Sequence, residues 1–270
     1  MFVGGPPGFT DTALRRLDRE ATLLGRIQNP HVVGLRSSGV SKGRDVFWLV
    51  MEHLEGRSLD VIIRDPDMSF TEEDIVRLAL HMLSALEDLH RQNIIHRDVK
   101  PSNIVLCGGE YKLVDLGAAA VMAVREEEVN QSLVTHGTVL NVAGTHGFMP
   151  PEAYRDAANV GPCSDVYVLS ATLYLLISGQ MPFGANNEFE WIIAVAGNME
   201  DRRRDCAPLQ KKISDRYTNA SEMRVAIQQF EHDRCTRPSH WTPSNPVNAG
   251  AGLLTLVQQG GVEGGKCRSS

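Results

Sequence analysis

The residues of this chain best suited to chemistry stand together at His96-Arg97-Asp98-Val99-Lys100-Pro101-Ser102-Asn103. Asp98, Lys100 and Asn103 offer a carboxylate, an ammonium and a carboxamide on one short stretch. A second carboxylate, Asp115, follows in Asp115-Leu116-Gly117. Carboxylate and carboxamide oxygens are hard donors, suited to hard cations such as magnesium. A set of this kind works by positioning groups and neutralising charge, the two tasks phosphoryl transfer asks of a protein.

The elements around this stretch must hold it in place. Thr71-Glu72-Glu73-Asp74 is a strong helix start, with Asp74 placed to complete a capping box on Thr71. The helix is predicted to run to about Gln92, burying Ile75, Leu78, Ala79, Met82, Leu86 and Leu89. The motif comes directly after it. Ile104 to Cys107 and Tyr111 to Val114 then read as a hairpin around Gly108-Gly109.

Further upstream, Val32 to Val40 and Val46 to Glu52 read as two strands joined by a turn. A helix capped by Asp11 or Thr12 is predicted to reach Ile27, where Asn29-Pro30 ends it. A short helix is predicted near Ser58 to Arg64. Downstream, residues 117–150 read as a long loop, and Asp165 to Ser178 as an apolar helix. Helices near Asn187 to Ala196 and Ala220 to His232 follow. Residues 1–10 and 236–270 are rich in Gly, Pro or Ser and are expected to lack fixed structure.

The chain has 270 residues, 42% apolar and 22% charged, enough for one large domain or two small lobes with a real core. A net charge of −6 argues against a nucleic-acid or anionic-membrane footprint. The Arg202-Arg203-Arg204 run is flanked by Asp201 and Asp205, as a solvated face would be. The 5 cysteines are widely spaced and suggest neither a zinc site nor a disulfide framework. The N-terminus lacks the pattern of a signal peptide. The longest apolar segment, Val166 to Ile177, is too short to span a bilayer. An intracellular, cytoplasmic protein is expected, with the nucleus as a second possible site.

The octapeptide has the form H-R-D-x-K-P-x-N and resembles the catalytic loop of eukaryotic-type Ser/Thr protein kinases. Asp115-Leu116-Gly117 is similar to the D-F-G that follows that loop. Gly144-Thr145-His146-Gly147-Phe148-Met149-Pro150-Pro151-Glu152 resembles the end of an activation segment, with Phe148 where Tyr is usual. Ser164-Asp165-Val166-Tyr167 and Gly179-x-x-Pro182-Phe183 are similar to later motifs of the family. Leu49-Val50-Met51-Glu52-His53-Leu54 resembles the strand and hinge that hold adenine.

The resemblance implies roles. Asp98 would orient the attacking hydroxyl and accept its proton, and Lys100 would neutralise the transferred phosphoryl group. Asn103 and Asp115 would hold Mg2+. Thr145 would bond Asp98 and Lys100, pointing to Ser or Thr as the acceptor. The carbonyl of Glu52 and the N–H of Leu54 would bond adenine, with Val105 beneath it. Glu152 would pair with Arg216, and Asp165 would anchor the loop backbone around His96. ATP and a protein substrate are the implied partners, with neither nucleic acid nor membrane.

The same resemblance exposes a gap. The family carries a Gly-rich loop and then an ATP-binding lysine ahead of the helix to which Glu20 would belong. The first lysine of this chain is Lys42, and Gly4-Gly5-Pro6-Pro7-Gly8 has the wrong spacing for the loop. The expected class is α+β: a protein-kinase-like bilobal fold with a truncated N-terminal sheet lobe and a mainly helical C-terminal lobe. Residues 11–53 would form the first and 54–235 the second. Two functions are implied: an ATP-dependent Ser/Thr kinase, or a catalytically impaired pseudokinase or scaffold acting through protein binding.

Overall fold

The computed structural model describes residues 2–4, 21, 25–41, 46–115, 120–121, 147–155, 160–182, 216–236 and 253. Strands dominate the first part of the chain and helices the second, a mixed α+β arrangement. Strands β1 (Phe2–Gly4), β2 (Leu35–Val40) and β3 (Val46–Met51) form an antiparallel sheet with β3 in the centre. Val40 lies opposite Phe47 and Leu35 opposite Met51, with an irregularity between Leu35 and Ser37. Phe2 lies opposite Trp48. Phe2 to Gly4, inside the stretch 1–10 expected to lack structure, supply backbone partners to the second edge of β3, while residues 5–10 lie outside the described residues.

A second sheet carries the site. It has the order β4 (Gly56–Ser58), β6 (Ile104–Cys107), β7 (Glu110–Leu113), all antiparallel neighbours. Gly108 and Gly109 turn the β6–β7 hairpin with φ of 59° and 86°, the left-handed values a tight hairpin needs. Gly56 has no side chain because β6 passes too close. A Cβ there would lie 2.2 Å from the carbonyl oxygen of Leu106. β5 (Ile94–Ile95) pairs with β8 (Ala120–Val121). β4, β5 and β8 lack the length and alternation that mark a strand in sequence.

Short α1 (Leu59–Ile63) buries Leu59 and Ile62. Long α2 (Glu72–Arg91) starts as its sequence predicts. The Thr71 hydroxyl accepts from the Asp74 N–H at 3.1 Å, and the Asp74 carboxylate accepts from the Thr71 N–H at 3.0 Å. Beyond the expected stripe, Val76, Leu83 and Ala85 are also buried. The stripe is broad because α2 packs against β7, α4 (Pro162–Ser178) and α5 (Ala220–Thr236). Every residue of α4 from Ser164 to Leu173 is buried, the signature of a helix enclosed on all sides. Pro162 opens it in the first helical position, where a missing N–H costs nothing. A small helix, α3 (Pro151–Arg155), precedes it.

Leu253 is fully buried in the same core cluster, which corrects the expected flexible tail at that residue. The predicted helix near Asn187 to Ala196 and most of the helix ending at Ile27 lie outside the described residues, as does most of 236–270. Among the described residues, no helix is long and apolar enough to cross a membrane.

Candidate active site

The loop after α2 is built on one buried carboxylate. Asp165, in the first turn of α4, is fully buried. Its oxygens accept from the backbone N–H of His96 at 2.9 Å and of Arg97 at 2.7 Å. The ring of His90, at the end of α2, reaches the same carboxylate through Nε2 at 2.8 Å. Arg97 has φ of 70°, a left-handed conformation that a long side chain seldom adopts. Charge-assisted bonds to Asp165 offset that cost.

His96 is fully buried, and desolvation pushes its pKa down against the pull of Asp165, Asp98 and Asp115. The ring stays neutral, so Nδ1 can accept from the Asp98 N–H at 3.2 Å. From α4, the Thr172 hydroxyl donates to the Val99 carbonyl at 2.8 Å. The loop is thus fixed from within and from below before its functional side chains are considered.

Those side chains converge on Asp98, which is 7% exposed. Its Oδ2 accepts from Asn103 Nδ2 at 2.9 Å and pairs with Lys100 Nζ at 2.7 Å. Asn103 Nδ2 also reaches the Asp98 carbonyl at 2.9 Å. A 3-10 turn over Pro101–Asn103 curls the chain so that residues 98, 100 and 103 meet. Asn103 then accepts through its carbonyl from the Val114 N–H at 2.8 Å, which brings Asp115 to the loop. Asp115 follows with φ of 60°. Asp98 and Asp115 both act electrostatically on His96, against the burial that keeps it neutral.

The hinge candidates lie just beyond β3. Glu52 is tied to Gly34 twice: its N–H donates to the Gly34 carbonyl at 2.8 Å, and its Oε1 accepts from the Gly34 N–H at 3.0 Å. Lys112 of β7 donates to the same Oε1 at 2.8 Å. Leu54 is half-buried. Val105, also half-buried, stands in β6 opposite Lys112 and Ser58. Thr145 lies outside the described residues, as do Glu20 and Leu116.

A second buried cluster braces the lobe. Arg216 makes a two-pronged pair with Glu152, at 2.8 and 3.1 Å, with both side chains at most 5% exposed. The Ser164 hydroxyl donates to Glu152 at 2.7 Å, and the guanidinium lies 4.5 Å from the centre of the Tyr167 ring. Burial pushes the Tyr167 phenol far up, so it stays neutral beside Glu152.

Sequence reasoning missed Lys112, His90 and Thr172. Each acts through a contact across distant sequence, His90 with Asp165 and Lys112 with Glu52, and no local pattern marks it.

The protein kinase domain family model matches residues 9–240. The chain belongs to that family. It is 32% identical over 232 residues to the serine/threonine-protein kinase PknH of Mycobacterium tuberculosis, covering 81% of this chain and 35% of that protein. It is 32% identical over 241 residues to a probable serine/threonine-protein kinase PknB of Bifidobacterium longum, covering 82% and 34%. A probable serine/threonine-protein kinase of Clostridium perfringens is 32% identical over 178 residues, covering 64% and 24%. The chain therefore spans 24% to 35% of the length of these relatives.

Proposed function

We propose that this chain transfers the γ-phosphoryl group of ATP to Ser or Thr hydroxyls of a protein substrate. The observation that carries the reading is the Asp98 carboxylate, held between the Asn103 amide and the Lys100 ammonium. Such a carboxylate is oriented to take the proton of an attacking hydroxyl. Lys100 then neutralises charge on the phosphoryl group as it moves. The hinge carbonyl of Glu52 and N–H of Leu54 bond adenine above Val105.

The donor set suits magnesium. Asn103 spends its NH2 on Asp98; its Oδ1, reached by the Ser102 hydroxyl at 3.4 Å, is a hard donor, and Asp115 adds a carboxylate. When bound, magnesium neutralises the ATP phosphates. Residues 98 to 115 orient the acceptor and keep its proton in reach. Thr145, with Lys100, supports Ser/Thr rather than Tyr, as do the names of the relatives.

A second reading is a binding scaffold that does not catalyse. It draws on one fact: no lysine precedes Lys42, so residues 1–41 supply no lysine to pair with Glu20. Neither reading calls for nucleic acid or a membrane, in keeping with the acidic balance. Incubating the 270-residue chain with labelled ATP, magnesium and a generic protein acceptor separates the two. Chelator-sensitive phosphoserine or phosphothreonine supports the kinase, and ATP binding without transfer supports the scaffold.

A further inference from the structure

We propose that Lys112 is a positioning residue for the nucleotide, holding the hinge at Glu52 in register with the floor residue Val105. This rests on the hinge reading above and adds a residue to it.

Lys112 faces Val105 directly across the β6–β7 ladder. Opposed residues of an antiparallel pair project from the same face. Lys112 and Val105 therefore emerge together, while Tyr111 and Leu113 turn the other way, into the core. From that face Lys112 reaches Glu52 Oε1 at 2.8 Å.

The contact closes a ring of bonds. Glu52 holds Gly34 through both its side chain and its backbone. The segment next to Gly34 is stitched to β7, with the Val33 N–H on the Leu113 carbonyl at 2.9 Å and the Leu113 N–H on the His31 carbonyl at 2.8 Å. The route from β7 through Lys112, Glu52 and Gly34 thus returns to β7. Without Lys112 the ring opens at the Lys112–Glu52 ion pair, and Glu52 keeps its Gly34 bonds.

The pair sits at 21% and 20% exposure, so solvent screens it only in part. The bond from Lys112 is the largest influence holding the Glu52 carboxyl below its usual range, and Arg36 contributes least. Lys112 is also on the strand that leads to Asp115. One ammonium thereby links the adenine end of the site to the magnesium end, and a shift of one is felt at the other.

The test compares the full chain with Lys112→Met and Lys112→Arg. The first readout is backbone amide exchange at residues 52–54 without ligand. The second is ATP affinity in magnesium, with KM and kcat wherever transfer is measurable. Lys112→Met should speed exchange and weaken ATP binding roughly three- to tenfold, raising KM while kcat holds. Lys112→Arg keeps the charge and should recover most of the affinity. Unchanged exchange and affinity in Lys112→Met would overturn the proposal, as would equal losses in both variants with a lowered melting temperature. A wild-type chain that binds no ATP overturns the hinge reading and the nucleotide role with it. Faster exchange in Lys112→Met would then support only the lock on Glu52.

Discussion

Arg97 donates its backbone N–H to the carboxylate of Asp165 at 2.7 Å, from a left-handed conformation that this bond helps to hold. The two residues belong to different elements, and their contact sets the direction in which Asp98 leaves the loop. Asp165 is therefore the anchor of the loop's entry, beside the bonds from His96, Thr172 and Asn103 further along.

Asp165→Asn replaces one acceptor oxygen with an NH2 group that faces N–H donors. A buried charged acceptor with such partners is worth about 2–3 kcal/mol. The variant should unfold at lower urea by that amount. Phosphoryl transfer should fall further than stability does, measured at a temperature where the variant remains folded. Equal stability in Asp165→Asn would mean that Arg97 is held by something else.

The Glu152–Arg216 pair makes a separate prediction about the helical part of the chain. Removing one partner leaves the other charge buried. Arg216→Met should cost about 3–5 kcal/mol, and Glu152→Gln in the same background should recover part of it. A double-mutant cycle by chemical denaturation reads the coupling directly.

Acid should destabilise the fold through two histidines. Burial pushes the pKa of both His81 and His96 below the ordinary 6.5. The unfolded chain then binds more protons than the folded one as pH falls through that value. The stability these groups support is present above about pH 6.5 and is lost progressively below it. For His81 the geometry agrees. Its ring stacks on His31 with centroids 3.8 Å apart, and its Nδ1 accepts from the Tyr111 N–H at 3.3 Å. Protonation would lose that bond and set a cation against His31. His81→Asn keeps an acceptor near Nδ1 and removes the titration. Urea midpoints from pH 8 to pH 5 should fall less steeply in that variant than in the wild type.

Much of the fold was legible in the sequence because its signals are local. Thr71 and Asp74 bracket the start of α2, and Gly108-Gly109 marks the β6–β7 turn. The loop residues Asp98, Lys100 and Asn103 are close in sequence, so a single turn brings them together. What could not be read depends on tertiary contact. Phe2 to Gly4 became a strand because β3 had an edge to pair. Leu253 sits in a Gly-rich stretch, and only the core beneath it accounts for its burial. Lys112 reads as an ordinary exposed strand lysine until Glu52 is placed 2.8 Å away.

The proposed role of Asp98 is to take the proton of the acceptor hydroxyl. The most direct measurement is the rate of label transfer from ATP to a protein acceptor by Asp98→Asn and by the wild-type chain, side by side. Asn keeps the shape of the side chain and one oxygen for Asn103 and Lys100, but it loses the charge and is a far weaker base. Transfer should fall by at least about a hundredfold in Asp98→Asn, with circular dichroism and melting temperature unchanged. Transfer by Asp98→Asn at the wild-type rate would contradict it.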